Sequence, residues 1–285
     1  MKLQFKHFKL AKLQKHFSWK AFTLLALGLF VIGGAAGCGR QSQLQQIKSK
    51  KTLTMATSAD YAPFEFPVVK NGHKQIIGYD IMIGHKLADK MGVKLKVNNM
   101  EFPSIINEVK NGKADIGVAG ITATKQRRKA IDFSKPYYIE QDVLLVKKAD
   151  ANKFNKASQV SGHEIGAQQS STQVTLAKKD LKGIKLVQES LVTTLATDLK
   201  SGKLDGVVAA KPIAQEYVKQ HPNDYAISKI HIKVPTSLKY IEIALPKNQP
   251  ELKKEVNSEI THLQKTGQSQ KMFSRAQALQ DKYNK

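Results

Sequence analysis

The middle of the chain, residues 109–138, carries the residue types of an anion-binding site. Residues 114–119 are small and apolar and predict a short buried strand, and Gly120 after it leaves the backbone open to close approach. Thr124 is placed to cap a helix that contains Arg127. Free N–H groups at a helix start, together with a guanidinium, suit a carboxylate. A solvated charge run is the alternative interpretation of the sequence KQRRK.

Several motifs that follow one another along the chain resemble the polar amino-acid solute-binding proteins of ABC importers. The pattern Gly-x-Thr-x-Thr-x-x-Arg spans residues 120–127, and Asp-Phe-Ser and Pro-Tyr-Tyr follow at 132–134 and 136–138. Upstream, Tyr-Ala-Pro-Phe-Glu-Phe occupies 61–66 and Gly-Tyr-Asp occupies 78–80. The resemblance covers about residues 51–283. It implies an α/β protein with the two-lobed, periplasmic-binding-protein-like (type II) fold, a hinge and a ligand cleft between the lobes.

The resemblance also implies how a ligand carboxylate would be bound. Arg127 would clamp the α-carboxylate with its guanidinium fork, helped by the Thr122 amide. The Gly120 carbonyl and the Thr122 hydroxyl could still bind the ligand's ammonium. From the opposite lobe, Ser171 and Thr172 match the loop whose amides and hydroxyls complete the carboxylate shell. A lysine in place of Arg127 would supply charge without the planar fork.

Three further positions match family residues that contact the ligand side chain. Tyr61 and Phe102 would form aromatic walls that suit an apolar or a cationic group, although core packing is the alternative for both. Gln168 would hydrogen-bond a polar side chain. Ser170 stands where the family has glycine, which leaves the geometry of this loop open.

One position departs from the family pattern. The resemblance implies Asp or Glu at position 210, where it would neutralise the ligand's α-ammonium, and the chain has Ala210. Burying an ammonium without its partner costs about 2–5 kcal/mol of binding energy. Either another acid serves or the ligand is not a standard free α-amino acid. The acids weighed for this role are Asp60, Glu65, Glu101 and Glu216.

The start of the chain predicts export. Residues 1–20 contain six lysines and no acid, residues 21–37 are uncharged, and the segment ends in Ala-Ala-Gly before Cys38. This pattern is typical of a secretory signal peptide. Cys38, the only cysteine, is expected to become the lipid-modified (palmitate-bearing) first residue of a membrane-anchored lipoprotein, although Ala35 stands where a larger aliphatic residue is usual. A free thiol is the alternative.

Composition limits the partners of the exported protein. The net charge is +23 at pH 7, and the lysines are spread along the chain with few aromatic residues among them, so no base-stacking surface for nucleic acid is indicated. Polyanions of the cell surface are the more plausible charged partners. We expect a monomer, held at the extracytoplasmic face of a cell membrane, in an organism that we take to be Gram-positive.

Apolar runs alternate with helical patterns, as expected for an α/β chain. The expected strands are residues 53–58, 94–100, 114–119, 142–147, 164–168, 185–188, 206–210 and 240–245. Asp80 is a candidate cap for a helix that ends at Gly92. Residues 109–120 also match residues 199–210 at a spacing of 90, which predicts one αβ unit used twice, once in each lobe.

These patterns predict four parts: a signal peptide (1–37), a flexible tether (38–51), a first lobe (52–138 and 242–285) and a second lobe with hinge segments (139–241). The predicted function is capture of an amino acid or a close derivative by lobe closure, and delivery to an ABC permease and its ATPase. No enzyme, metal or cofactor is expected, because no catalytic or metal-ligand spacing occurs in the sequence. The alternatives are a surface adhesin for mucus or matrix polyanions and an exported dehydratase-like enzyme.

Overall fold

The computed structural model describes residues 41–283, so the predicted signal peptide and Cys38 lie outside the described part. The described residues form two α/β lobes, each built on a five-stranded mixed sheet. In the first sheet the strands lie side by side in the order Lys94–Asn99, Thr52–Thr57, Ile116–Gly117, Tyr240–Leu245 and Asp132–Ile139. In the second sheet the order is Tyr225–Ile227, Asp142–Lys147, Gly206–Ala210, Glu164–Gln168 and Lys185–Glu189. A two-stranded hairpin, Phe66–Lys70 with His73–Ile77, joins the first lobe. Within residues 41–283 no helix is both long and apolar enough to cross a membrane.

The eight expected strands are present, although the one expected at 114–119 is reduced to Ile116–Gly117, and four further strands were not predicted, at 66–70, 73–77, 132–139 and 225–227. Their bounds are β1 Thr52–Thr57, β2 Phe66–Lys70, β3 His73–Ile77, β4 Lys94–Asn99, β5 Ile116–Gly117, β6 Asp132–Ile139, β7 Asp142–Lys147, β8 Glu164–Gln168, β9 Lys185–Glu189, β10 Gly206–Ala210, β11 Tyr225–Ile227 and β12 Tyr240–Leu245. The helices are α1 Gln43–Ser49, α2 Tyr79–Met91, α3 Ile105–Lys110, α4 Lys125–Ala130, α5 Thr172–Asp180, α6 Val192–Ser201, α7 Lys211–Gln220, α8 Pro250–Lys265 and α9 Gln268–Tyr283.

Helix α2 shows what the sequence predicts and what it does not. The helix ends at Gly92, which has the left-handed φ of 70° that a glycine adopts without strain. The prediction that Asp80 caps this helix is wrong. The N-cap residue is Gly78, and no side chain makes a capping hydrogen bond there. A Cβ at Gly78 would lie 2.1 Å from the carbonyl oxygen of Phe64, so only glycine fits there. The Asp80 side chain is buried and serves the cleft instead.

The two copies of the repeat predicted at a spacing of 90 residues make equivalent backbone hydrogen bonds. In the first copy the amides of Lys113 and Ala114 donate to the carbonyl of Glu108 at 3.0 and 3.3 Å. In the second copy the amides of Lys203 and Leu204 donate to the carbonyl of Asp198 at 2.9 and 3.2 Å. The two units therefore deliver β5 and β10 into different sheets in the same way, with the carboxyl ends of both strands directed to the cleft.

Two extended segments connect the lobes. One runs from β6, which ends at Ile139, to β7, and the other leads into β12, which begins at Tyr240, two residues before the predicted lobe boundary. Ile139 pairs with Tyr240, and the amide of Glu140 donates to the carbonyl of Lys239 at 2.8 Å. The two crossings therefore form one paired ribbon.

Residues 42–50 differ from the flexible tether that composition predicts. Ser42 and Gln45 form a capping box that starts α1, and Ile47 on this helix is fully buried in the core of the first lobe. The Lys50 ammonium and the Gln43 amide both bind the carboxylate of Asp115, at 2.7 and 2.6 Å. The polar composition of this segment does not predict the helix, because the helix is stabilised by contacts with residues that are distant in sequence.

Asp115 gives a test of how α1 is attached. It is 1 % exposed, and its Oδ2 also accepts the Thr54 amide at 2.7 Å. We expect Asp115→Ala to lower the free energy of unfolding by about 2–3 kcal/mol, because a buried amide and an ammonium lose their acceptor. Asp281→Ala, which removes an exposed ion pair with Lys219, should cost at most about 1 kcal/mol. Equal costs in urea unfolding would contradict this account.

Candidate functional site

The eight residues that the resemblance assigns to a ligand site surround a single cavity between the lobes. The cavity is small, with a volume of about 10 Å³. Ala119 and Gln173 contribute to its wall in addition. The eight predicted residues are Tyr61, Phe102, Gly120, Thr122, Arg127, Gln168, Ser171 and Thr172. Residues distant in sequence therefore converge on one small volume, with both lobes contributing.

Arg127 is held at the wall of this cavity by its own helix start. The Thr124 hydroxyl caps α4 by accepting the Arg127 amide at 3.1 Å, as predicted. The guanidinium Nη1 donates to the Thr122 carbonyl at 2.7 Å, and Nη2 donates to the Ser170 carbonyl of the other lobe at 2.9 Å. Burial lowers the pKa of Arg127 to about 10, so the group is charged at neutral pH. This arrangement presents a fixed cation to an anionic group.

One aromatic ring lies at the cation, and a second lies against Gly120. The Arg127 guanidinium carbon lies 5.3 Å from the ring centroid of Phe102, a cation–π distance. Tyr61 lies against Gly120, where a Cβ would come within 3.0 Å of the ring and where φ is +55°. Both the conformation and the space therefore require glycine at position 120.

The second lobe contributes the loop between β8 and α5. Gln168 ends β8, and Ser171 precedes the first residue of α5, Thr172. Ser170 has a φ of 62°, the left-handed conformation that a glycine would adopt without strain. The substitution of serine for glycine, noted in the sequence, thus keeps the backbone turn at a conformational cost.

Asp60 joins the lobes at the edge of the cavity. Its Oδ2 accepts the Val192 amide at the start of α6 at 2.6 Å and the Gln168 side-chain amide at 3.2 Å. Its Oδ1 accepts the Ser58 hydroxyl at 2.8 Å. Burial raises the pKa of this carboxyl, and these hydrogen bonds partly offset the rise. Asp60 is therefore already engaged, and none of the four acids weighed for the ligand's ammonium lines the cavity.

Two other buried acids, which the sequence analysis missed, lie behind residues of the cavity wall. The Tyr61 hydroxyl donates to Glu140 at 3.2 Å, and the Gln173 amide donates to Oδ1 of Asp142 at 2.7 Å. Burial, followed by the charge of Asp142, raises the pKa of Glu140 well above its usual range, and burial raises the pKa of Asp142 to about 6. Asp142 is also the direct strand partner of Ala210. The sequence did contain a pattern that could have indicated these acids, because Glu140 and Asp142 are two residues apart beside a predicted lobe crossing.

A third acidic group fixes the first-lobe side of the cavity. The Asp80 carboxylate accepts the Gly120 amide at 3.0 Å and the Tyr137 hydroxyl at 2.8 Å. Burial raises the pKa of Asp80 to about 6, and burial and the neighbouring Asp80 raise the pKa of Glu65 well above its usual range. A protonated Glu65 can therefore donate to Asp80, and the pair holds the loop that carries Gly120.

Comparison with known proteins gives a consistent result. The sequence model described as bacterial extracellular solute-binding proteins, family 3, matches residues 53–277. The arginine-binding extracellular protein ArtP of Bacillus subtilis (strain 168) is 29 % identical over 204 residues, which cover 71 % of this chain and 77 % of that protein.

Solved structures share the fold. An amino acid ABC transporter substrate-binding protein from Streptococcus pneumoniae Canada MDR_19A, bound to L-arginine, superimposes with a TM-score of 0.80 at 34 % identity, over 83 % of this chain and 98 % of that one. The ancestral amino acid-binding protein AncCDT-1, a precursor of cyclohexadienyl dehydratase, gives a TM-score of 0.73 at 30 % identity, over 82 % and 98 % of the two chains. The predicted two-lobed type II fold is confirmed.

The protonated acid pair predicts a pH dependence of stability. The native state keeps a proton on Glu65 that the unfolded chain releases above its ordinary pKa of 4.5, so this group's contribution to stability declines as pH rises above that value. Glu65→Gln removes the effect. We therefore expect the free energy of unfolding of this variant, relative to the unchanged protein, to increase between pH 4.5 and pH 8 in urea titrations.

Asp132→Asn provides the control for the pH series. At Asp132, burial is outweighed by hydrogen bonds from Lys247 and Asn248, which lower its pKa below the ordinary 3.8. Asp132 titrates below the measured pH range. The difference in free energy of unfolding between Asp132→Asn and the unchanged protein should therefore stay constant from pH 4.5 to pH 8. A constant difference for Glu65→Gln as well would refute the protonated pair.

Proposed function

This chain belongs to the bacterial extracellular solute-binding proteins, family 3, and from that premise we propose that it captures a free amino acid between its lobes. Its relatives are amino acid-binding proteins of ABC transporters. The observation that carries the proposal is a cavity between the lobes that is lined by residues of both lobes and bears the Arg127 guanidinium. The complementary partners are the permease and ATPase of an importer.

Each part of the cavity has a role in this proposal. Arg127 binds the ligand carboxylate through its planar donors, and the start of α5 at Thr172 adds backbone N–H groups from the other lobe. Tyr61 and Phe102 hold the ligand side chain, and their faces suit a cationic group. L-arginine is the first candidate, since ArtP is named as arginine-binding and the pneumococcal protein is bound to L-arginine.

Capture proceeds by lobe movement about the paired crossings. Bonds across the cleft already connect the lobes, from Arg127 to the Ser170 carbonyl and from the Val192 amide to Asp60. A ligand that contacts both lobes favours the form in which they are closed, by its difference in affinity between the two forms. The permease recognises the surface that the two closed lobes form together.

An enzymatic role has less support. The relatives described above are binding proteins, and the ancestral neighbour related to a dehydratase is itself described as an amino acid-binding protein. The charged groups of the cavity have a complete explanation in ligand binding. We therefore propose binding without chemical change of the ligand.

A thermal-shift screen of residues 39–285 against the twenty amino acids, cystine and ornithine in high salt tests the proposal. Ligand at about 100 times its dissociation constant stabilises the native state by about 2.7 kcal/mol, a shift of several degrees. Arg127→Ala should weaken binding of the strongest ligand, L-arginine being the first choice, by about 2–5 kcal/mol in calorimetry.

The adjacent arginine offers a matched control. Arg128 points to a different partner, the Glu242 carboxylate, with both oxygens at 2.8 Å. Arg128→Ala should cost stability and leave affinity unchanged. Equal affinity of Arg127→Ala and the unchanged protein would refute the site, whereas no shift with any amino acid would refute the function. Salt-sensitive binding to heparin, together with no shift, would favour the adhesin.

Export and anchoring complete the proposal. The signal peptide (1–37) would be removed and Cys38 would carry the lipid, so that the lobes work at the extracytoplasmic face of the membrane. Ser42, the residue that caps α1, lies four residues after this cysteine in the sequence. Anchoring keeps the protein near its permease.

Cys38→Ser tests this anchor. In a bacterial host that processes lipoproteins, the unchanged chain should incorporate labelled palmitate and remain in the membrane fraction. The variant should lose the label and move to the medium or the soluble envelope fraction. Ser42→Ala, four residues away, should not change the fractionation. Retention of label by Cys38→Ser would contradict the assignment.

A further inference from the structure

We propose that Asp142, supported by Glu140, binds the ammonium group of the captured ligand. The inference rests on the proposed function and assigns its cation-binding residue. It concerns residues that motif matching does not mark, and it explains how a site with Ala210 can hold a zwitterion.

The register of the second sheet places Asp142 where the missing acid would act. Ala210, the last residue of β10, pairs with Asp142, the first residue of the antiparallel strand β7. Side chains of directly opposed residues lie on the same face of a sheet, with Cβ atoms about 4.5–5.5 Å apart. A carboxyl group on β7 therefore reaches the region that a longer side chain at position 210 would occupy. Glu140 precedes Asp142 by two residues and is close enough for the charge of Asp142 to raise its pKa.

The state of the Asp142 carboxyl indicates a missing cationic partner. The side chain is 5 % exposed, and Gln173, a wall residue of the cavity, donates to Oδ1. Oδ2 is buried without a hydrogen-bond partner among residues 41–283. A buried carboxylate oxygen without a donor is costly, and an ammonium can supply up to three donors. Asp142 is thus prepared for a cation that arrives with the ligand.

Glu140 and Arg127 set the charge balance around this group. Glu140 is 2 % exposed and accepts the Tyr61 hydroxyl, and Arg127 lies close enough to favour its ionised form. Burial and the charge of Asp142 favour the protonated form of Glu140, so the pair holds a proton. Lys211, which follows β10, directs its ammonium to the Gln141 side chain at 3.4 Å, and the carbonyl of Lys239 accepts the Glu140 amide.

The resulting site is polarised. Arg127 at one side takes the carboxylate of the ligand, and Asp142 at the other takes the ammonium, which displaces the shared proton. Of the other acids considered, Asp60 accepts the Val192 amide, and burial together with Asp80 raises the pKa of Glu65 well above its usual range, which favours its neutral form. The ligand class is therefore a molecule with an anionic and a cationic group on the same carbon atom, as in an α-amino acid.

The test compares two ligands that differ only in the ammonium. L-arginine has it, and 5-guanidinopentanoate, the same molecule without the α-amino group, does not. Asp142→Asn keeps the shape of the side chain and the bond to Gln173, and should weaken L-arginine binding by about 30-fold or more in calorimetry. Binding of 5-guanidinopentanoate should remain within a factor of about three.

Asp205→Asn is the matched control. Asp205 lies at the opposite end of β10 from Ala210, on the same lobe, and binds the Glu164 amide and His163 away from the cleft. Both ligands should bind this variant as they bind the unchanged protein. Equal loss of both ligands in Asp142→Asn, or no loss of L-arginine, overturns the inference.

The experiments distinguish the absence of amino-acid binding from a wrong assignment of Asp142. If the unchanged protein does not bind L-arginine, the same variants are compared with the amino acid found in the thermal screen and its α-desamino acid. If no amino acid binds, the proposed function falls, and the inference falls with it.

A second readout is the pH dependence of affinity. The pKa of Asp142 is raised to about 6, so below that pH the ammonium must displace a bound proton. Affinity for L-arginine should therefore weaken as pH falls from 7 to 5, and binding should release protons in this range. Asp142→Asn should show a flatter profile. Identical profiles would oppose the assignment.

Discussion

Burial of like charges around one cleft is the constraint on which the rest of this structure depends. Asp60, Asp80 and Asp142 lie almost out of contact with solvent, and each is near a second acid or a lobe boundary. A buried carboxylate persists only with donors or with a proton. Backbone amides meet this need at Asp60 and Asp80, and in doing so they join the lobes and fix the loop of Gly120. The hydrogen bonds that stabilise the Asp60 and Asp80 carboxylates are thus the same ones that fix the geometry of the site.

The sequence predicts most of the site because its residues belong to contiguous motifs. Thr124, Arg127 and Gly120 occupy one strand–turn–helix segment, where capping and glycine conformation are local properties. Helix α1 and the acid pair could not be predicted in this way. Ile47 is buried by chain that is distant in sequence, and the place of Asp142 follows from which strand β10 pairs with. Pairing between non-consecutive strands is not written in any local pattern.

The repeated αβ unit gives the cleft its two sides. In the first copy β5 leads to Gly120 and the guanidinium, and in the second copy β10 leads to Ala210 and the neighbouring acid. The copies have the same backbone bonds, and their ends lead to groups of opposite charge, Arg127 after the first copy and Asp142 on the strand that pairs with the second. A single structural unit, used twice, therefore contributes to both sides of the proposed site.

The pairing of the two crossings has a mechanical consequence. Since Ile139 pairs with Tyr240 and the Glu140 amide bonds to Lys239, the connections cannot twist independently. In the proposed movement of the lobes, this pairing leaves bending of one two-stranded ribbon, close to a single rotational degree of freedom. The search for the proposed closed arrangement would then be one-dimensional. Its rate would be governed by solvent friction on two rigid bodies more than by rearrangement of the chain.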